Sequence, residues 1–248
     1  MRIVFSILLF LVPISGSTQT VGTLLYEDET SEGLTLFHPL SYDTTYLINN
    51  CGEKVNQWSS DLPNGAFARL KSNGNLVKAV RFAGDDAFTG GGITGRIIEQ
   101  DWSGALVWEY SLADSNYHLH HDVHILPNDN LLVIAWEKKT IAECIAVGRD
   151  TTNIPAEGLW PCVIFEVEPI GSFSSIVWEW HAWDHLVQDF DSTKANFGDL
   201  LVNKARIDIN RGNENSNPDW IHLNGIDYNE DLDMILLSSP MLDEVFII

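Results

Sequence analysis

Two designs of apolar and polar positions alternate along most of the chain. In the first, a strand-like run, a polar turn and a second run carrying Trp recur: TYLINNCGEKVNQW ends at Trp58, RIIEQDWSGALVWEY carries Trp108 and VIFEVEPIGSFSSIVWEW carries Trp178. In the second, two apolar runs flank an Asn-rich turn: ARLKSNGNLVKAV around Asn73, DVHILPNDNLLVIAW around Asn128 and GIDYNEDLDMILLSS around Asn229. β-Branched and aromatic runs bounded by Asn, Asp and Gly read as strands joined by turns. Each pair of designs therefore predicts four short antiparallel strands. Asn73 and Asn128 lie 55 residues apart and Trp58 and Trp108 lie 50 apart, close to the propeller-blade period of about 40 to 50 residues. The pattern predicts an all-β chain, a β-propeller of four-stranded antiparallel blades.

The next interval is longer because of two insertions, Glu137 to Pro161 and His181 to Pro218. KKTIAECIAVGRD in the first places Ile141, Cys144, Ile145 and Gly148 at helical spacing. In the second, Trp183, Leu186, Val187 and Phe190 recur at three and four residues, and a polar run from Asn210 to Pro218 closes it. Both belong at blade ends, where propellers build their sites. Glu244 to Ile248 opens one more strand. Three blades and a strand do not close a ring that typically needs four to eight. The expectation is an incomplete, open propeller of about three blades, the N-terminal portion of one domain, truncated at the C-terminus. Its exposed edge would invite association, as in a homodimer.

Composition narrows the function. The 248 residues hold 45% hydrophobic and 20% charged side chains, enough for a packed core. Lys and Arg number 14 against 35 Asp and Glu, for a net charge of -21. Such a chain repels nucleic acid and anionic lipid. Residues 1–17 read as a secretory signal, with Arg2, the apolar run Ile3 to Ile14 and small residues at Ser15-Gly16-Ser17. The run is too short to span a bilayer, which takes about 20 residues. The mature domain is then 18–248, exported to a periplasmic or extracellular space. Cys51, Cys144 and Cys162 allow one disulfide, Cys144 with Cys162 being nearest in sequence, or three separate thiols.

The chemistry concentrates in YHLHHDVHILPNDNLLVIAW, Tyr117 to Trp136, with His118, His120, His121 and His124 around Asp122. His120-His121-Asp122 opens a strand of blade two, and Asp219-Trp220-Ile221-His222-Leu223-Asn224 stands at the matching place in blade three. Equivalent strand starts converge on the central channel, so His121 and His222 should meet across 101 residues. Two imidazoles in one pocket can act as nucleophile, general base and anion donor. His120 and His121 should alternate, one inward and one into the blade, and Asp122 should orient a ring nitrogen.

These segments, with GLTLFHPLSYDTTYLINNCGEKVNQW, resemble the arylsulfotransferase (aryl-sulfate sulfotransferase) family, in a branch of secreted bacterial proteins, from about Val21 to the last residue. The resemblance implies a six-bladed exported propeller that moves a sulfuryl group from a phenolic sulfate ester to a phenol, without nucleotide, through a transiently sulfated histidine. His121 matches the histidine of the family's His-Asp motif, and His222 that of its Trp-x-His-x-Asn motif. His120 joins them as a third catalytic candidate. The family arginine would fall in LLSSPML, where Pro240 stands. The sulfated histidine would lie beyond Ile248, so this fragment is expected to be inactive alone. Lys138, Lys139, Arg206 and Arg211 are the cations that could replace the arginine. No cofactor and no metal are expected: same-face strand residues stand roughly 6 to 7 Å apart, too far for His118, His120, Asp122 and His124 to share one ion unaided.

A rival class is a non-catalytic secreted propeller that binds ligands and kept part of the histidine set. Trp58, Trp108 and Trp178 read as spacers between blades, whereas Trp180, Trp183 and Trp220 could line an aromatic substrate's path. Gly90-Gly91-Gly92 reads as a flexible loop and not as a phosphate cradle, since no helix follows it.

Overall fold

In the computed structural model the described residues are 23, 25, 27, 29–84, 87–212 and 217–248. The signal-like opening lies outside them. Strands β1 (Leu34–Phe37), β2 (Thr44–Asn49) and β3 (Lys54–Ser59) make a first sheet. A second holds β4 (Asn64–Leu70), β5 (Leu76–Arg81), β6 (Gly95–Gln100) and β7 (Leu106–Ser111). A third holds β8 (Tyr117–Ile125), β9 (Leu131–Glu137), β10 (Cys162–Ile170) and β11 (Phe173–His181). All their pairings are antiparallel between chain neighbours.

All six sequence-predicted hairpins are present. Their turns close as their composition requires: Asn73, Asn128 and Asp101 each accept the backbone N–H two residues on, the side-chain turn that favours Asn and Asp there. Helix α1 (Ile141–Ala146) forms where the spacing placed it, started by a capping box between Thr140 and Glu143. The second insertion is not helical. It makes one 3-10 turn at Ala182–His185, then β12 (Leu186–Val187), which pairs in parallel with β13 (Ile207–Asp208). Of the residues at three-and-four spacing, Leu186 and Val187 are buried side by side in β12, whereas Phe190 is 60% exposed. A fourth sheet follows, with β14 (Gly225–Asn229), β15 (Met234–Ser239) and β16 (Glu244–Ile247) in order. Besides the two-stranded β12–β13 pair, the described sheets are thus two of four strands and two of three, an open array of blade-like units.

The middle strand β9 explains the packing. Every residue of LLVIAWE is buried, because both faces of the sheet are covered. Leu131, Val133 and Ala135 pack with Phe67, Val77, Ala79, Ile97 and Trp108 of the second sheet. The alternate residues Leu132, Ile134 and Trp136 pack with Ile226, Ile235 and Leu237 of the fourth and with Ile221 and Leu223 in the segment that leads into it. A period-two strand buried on both faces must be apolar throughout. The Trp design adds a bridge: the Trp58 indole N–H donates to Asp101 O at 2.8 Å and that of Trp108 to Phe173 O at 3.3 Å, each in the outer turn of the next sheet. Trp178 departs from the expected role. It is 39% exposed, because no outer turn of the fourth sheet covers it among the described residues.

Candidate active site

The inner strands β8 and β14 lie side by side, and the two histidine motifs meet where they begin. Strand β8 does not alternate through its polar centre. Its register against β9 shifts between Leu119 and Val123, leaving His120, His121 and Asp122 in a bulge. His121 there takes φ 54°, and His222, just before β14, takes φ 51°. Left-handed backbone is uncommon outside glycine, and bulges of this kind re-aim side chains. Here they turn both rings toward each other.

The rings of His121 and His222 lie 4.6 Å apart, edge to face. Nδ1 of His120 is 2.9 Å from Nδ1 of His121, one donating and the other accepting. His120 is 1% exposed and lies flat on Trp136 at 4.1 Å, with its Nε2 3.7 Å from Cys162 Sγ. The expected split of His120 and His121 onto opposite faces does not hold, because the bulge breaks the strand's period. Both rings belong to one cluster.

Asp219, 3% exposed, joins the cluster to the core. Its Oδ1 accepts the Trp136 indole N–H at 2.8 Å, and its Oδ2 accepts from His222 Nδ1. Cys162 Sγ accepts the Leu223 N–H at 3.4 Å, which fixes the chain just after His222. All three cysteines are free thiols. Burial pushes the Cys162 thiol up, with Asp219 adding to the shift.

The rings differ in charge. Burial, then the neighbouring imidazoles, holds His120 well below the ordinary histidine range. Burial and then His222 lower His121 to about 4. The hydrogen bond to Asp219 instead raises His222. A ring lowered by burial thus stands beside one that a carboxylate shifts toward its protonated form.

The glycine triplet is part of this site. The β5–β6 connection crosses onto the third sheet, where His121 N–H donates to Gly92 O at 2.8 Å and Thr94 N–H to Leu119 O at 3.0 Å. A Cβ on Gly92, whose φ is 72°, would lie 2.2 Å from His121 Cε1. One on Gly90 would lie 2.4 Å from Trp136 Cζ2 and 3.0 Å from Asp219 Oδ2. Three consecutive glycines were the signal, and their meaning is close approach to the rings.

Other expectations fall differently. Asp122 orients no ring: its oxygens accept the N–H groups of Val123 and Ile226, tying β8 to β14. His118 is fully buried between Phe88 and Trp136, with Nδ1 at Leu119 O. His124 faces Asp227 at 3.0 Å. Among the described residues no His, Cys, Asp and Glu group is arranged to hold a metal ion. Trp220 is 1% exposed and donates to Arg211 O, so it is core. Trp183 lies against Lys139. Trp180 lines a groove of about 910 Å³ with Trp178, His185, Phe246 and Ile248, and none of the clustered histidines reaches it.

The cations proposed to replace the arginine are engaged elsewhere. Lys139 pairs with Glu137 at 2.5 Å, Arg211 with Glu244 and Leu242 O, and Arg206 with Leu186 O. Lys138 donates its backbone N–H to Asn116 O, and among the described residues its ammonium forms no ion pair. Pro240 is exposed in the β15–β16 turn.

No curated protein matches the chain. The arylsulfotransferase (ASST) family model matches residues 53–248, which takes in both histidine motifs and the sheets that carry them. The chain belongs to the arylsulfotransferase family.

Proposed function

We propose that the protein transfers a sulfuryl group from a phenolic sulfate ester to a phenol, through a histidine intermediate and without a nucleotide. The observation that carries the reading is the meeting of His121 and His222 at 4.6 Å with opposite protonation preferences. Sulfuryl transfer, like phosphoryl transfer, gathers negative charge on equatorial oxygens, which cationic donors must hold in place.

In this reading His222, protonated and bound through Nδ1 to Asp219, turns its Nε2–H to those oxygens. The attacking histidine forms the N–S bond as the ester S–O bond breaks and the donor phenolate leaves. Neutral His121 has a lone pair to take the acceptor phenol's proton when that phenol in turn displaces the sulfuryl group. His120 acts through His121, whose Nδ1 it engages. The Gly90–Gly92 backbone leaves room for a flat aromatic group, since a Cβ on Gly91 would meet only His222 Cε1, at 3.8 Å. The described sheets form an open array, so the chain by itself is proposed to bind the ester and to be inactive in transfer. Export rests on the opening residues alone.

The test is calorimetric binding of 4-nitrophenyl sulfate by the chain, together with release of 4-nitrophenol in the presence of phenol by the complete protein. His121→Ala and His222→Ala should each remove most of both signals. Full retention of both by the two variants refutes the site. A binding module that performs no chemistry would bind the ester with no transfer by any form of the protein.

A further inference from the structure

We infer that Asp219 is a positioning residue that makes His222 the fixed cation of the site. Its two oxygens are divided between partners from different sheets: Oδ1 takes the Trp136 indole N–H from β9, and Oδ2 faces His222 Nδ1. The carboxylate is 3% exposed. Among the described residues its one ionic partner is His222. A buried carboxylate left without a positive partner is expensive, so the pair favours the imidazolium over a neutral ring.

The geometry also fixes which nitrogen does the work. With Nδ1 held by Asp219, Nε2 is the nitrogen left to meet a ligand. Trp136 in turn fixes the carboxylate, because its ring is clamped between His120 at 4.1 Å and Phe88 at 5.9 Å. The groups that face His222 from packed elements are His121 and His120 on β8. Cys162 on β10 lies behind it, bonded to the Leu223 N–H. The two histidines oppose a charge at His222, and Asp219 is the group that favours it. The negative charge beneath the ring therefore serves an anion above it.

This rests on the sulfate reading for its ligand but not for its first measurement. Asp219→Asn keeps an oxygen for Trp136 and offers an N–H to His222 Nδ1, which removes the charge with little change of shape. In the full chain, the NMR titration of the His222 Cε1 proton should fall by at least one pH unit. Affinity for 4-nitrophenyl sulfate at pH 7 should fall about ten-fold or more. In a His222→Gln background the same substitution should change affinity by less than two-fold, and a melting curve near wild type would show that the fold survives.

An unchanged titration in Asp219→Asn overturns the inference. A lowered titration with unchanged affinity overturns it too, since the charge would then serve no ligand. If the wild-type chain binds no 4-nitrophenyl sulfate, the sulfate reading fails, and the titration still decides whether Asp219 sets the charge of His222.

Discussion

Gly92→Ala separates backbone strain from collision with the site. The residue sits at φ 72°, where an L side chain is disfavoured, and its new Cβ would fall 2.2 to 2.4 Å from three atoms of the His121 ring. Gly104 supplies the control. Its φ is 88°, in the β6–β7 turn, and a Cβ there meets nothing within 4 Å. Gly104→Ala should therefore cost only the left-handed term of about 1 kcal/mol, or roughly 3 °C of melting temperature for a domain of this size. Gly92→Ala adds an overpacking cost of about 1 to 3 kcal/mol, and the ring must leave its place beside His222. A displacement of about 1 Å at a reacting group can cost on the order of 100-fold in rate. Calorimetric melting and binding of 4-nitrophenyl sulfate should thus show a larger destabilisation than in Gly104→Ala and a loss of binding that Gly104→Ala lacks. If Gly92→Ala melts with the control and binds like wild type, the glycine loop does not clamp His121.

Acid should destabilise the fold. His121 and His38 are both lowered to about 4, by burial first, so each binds fewer protons folded than unfolded between pH 6.5 and 4. Their contribution is full above pH 6.5 and is lost as pH falls toward 4, on the order of 3 kcal/mol per fully realised shift and less where water reaches the ring. The raised His222 acts oppositely, adding stability below pH 6.5 that is lost as pH rises through its folded value. Urea unfolding from pH 7 to 4 should show net loss, and a flat profile would contradict the burial of these rings. The Trp series should split: Trp58→Ala and Trp108→Ala remove rings 0% and 4% exposed and should cost about 3 to 5 kcal/mol. Trp178→Ala should cost clearly less, and equal losses in the three would refute the assignment of Trp178 to an open groove.

The strand content was legible because it follows from local rules. Period-two burial, Asn turns and the recurrent Trp name all six hairpins, and β9 reads as a strand covered on both faces. Trp178 shows where a repeat misleads. The same residue in the same register is a spacer only if the next sheet brings an outer turn against it, as Asp101 and Phe173 do for Trp58 and Trp108. In the second insertion the helical spacing has no buried face behind it: Leu186 and Val187 are adjacent in β12 and Phe190 is exposed.

At the site the failure is more instructive. His121 and His222 were located by matching strand starts, which is a global argument about the repeat. Which way their neighbours point was read by alternation, which is a local one. The bulge at His120-His121-Asp122 suspends alternation where the rings must converge, so Asp122 went to the backbone and His120 joined the cluster. Asp219 and Gly92 could not be found by either argument. One acts across two sheets through Trp136, and the other by the absence of a side chain over a ring from another sheet. Regular alternation would have sent His120 and His121 to opposite faces of the sheet. Breaking the rule at His121 and at His222, each with left-handed backbone, is what brings the two rings from different sheets together.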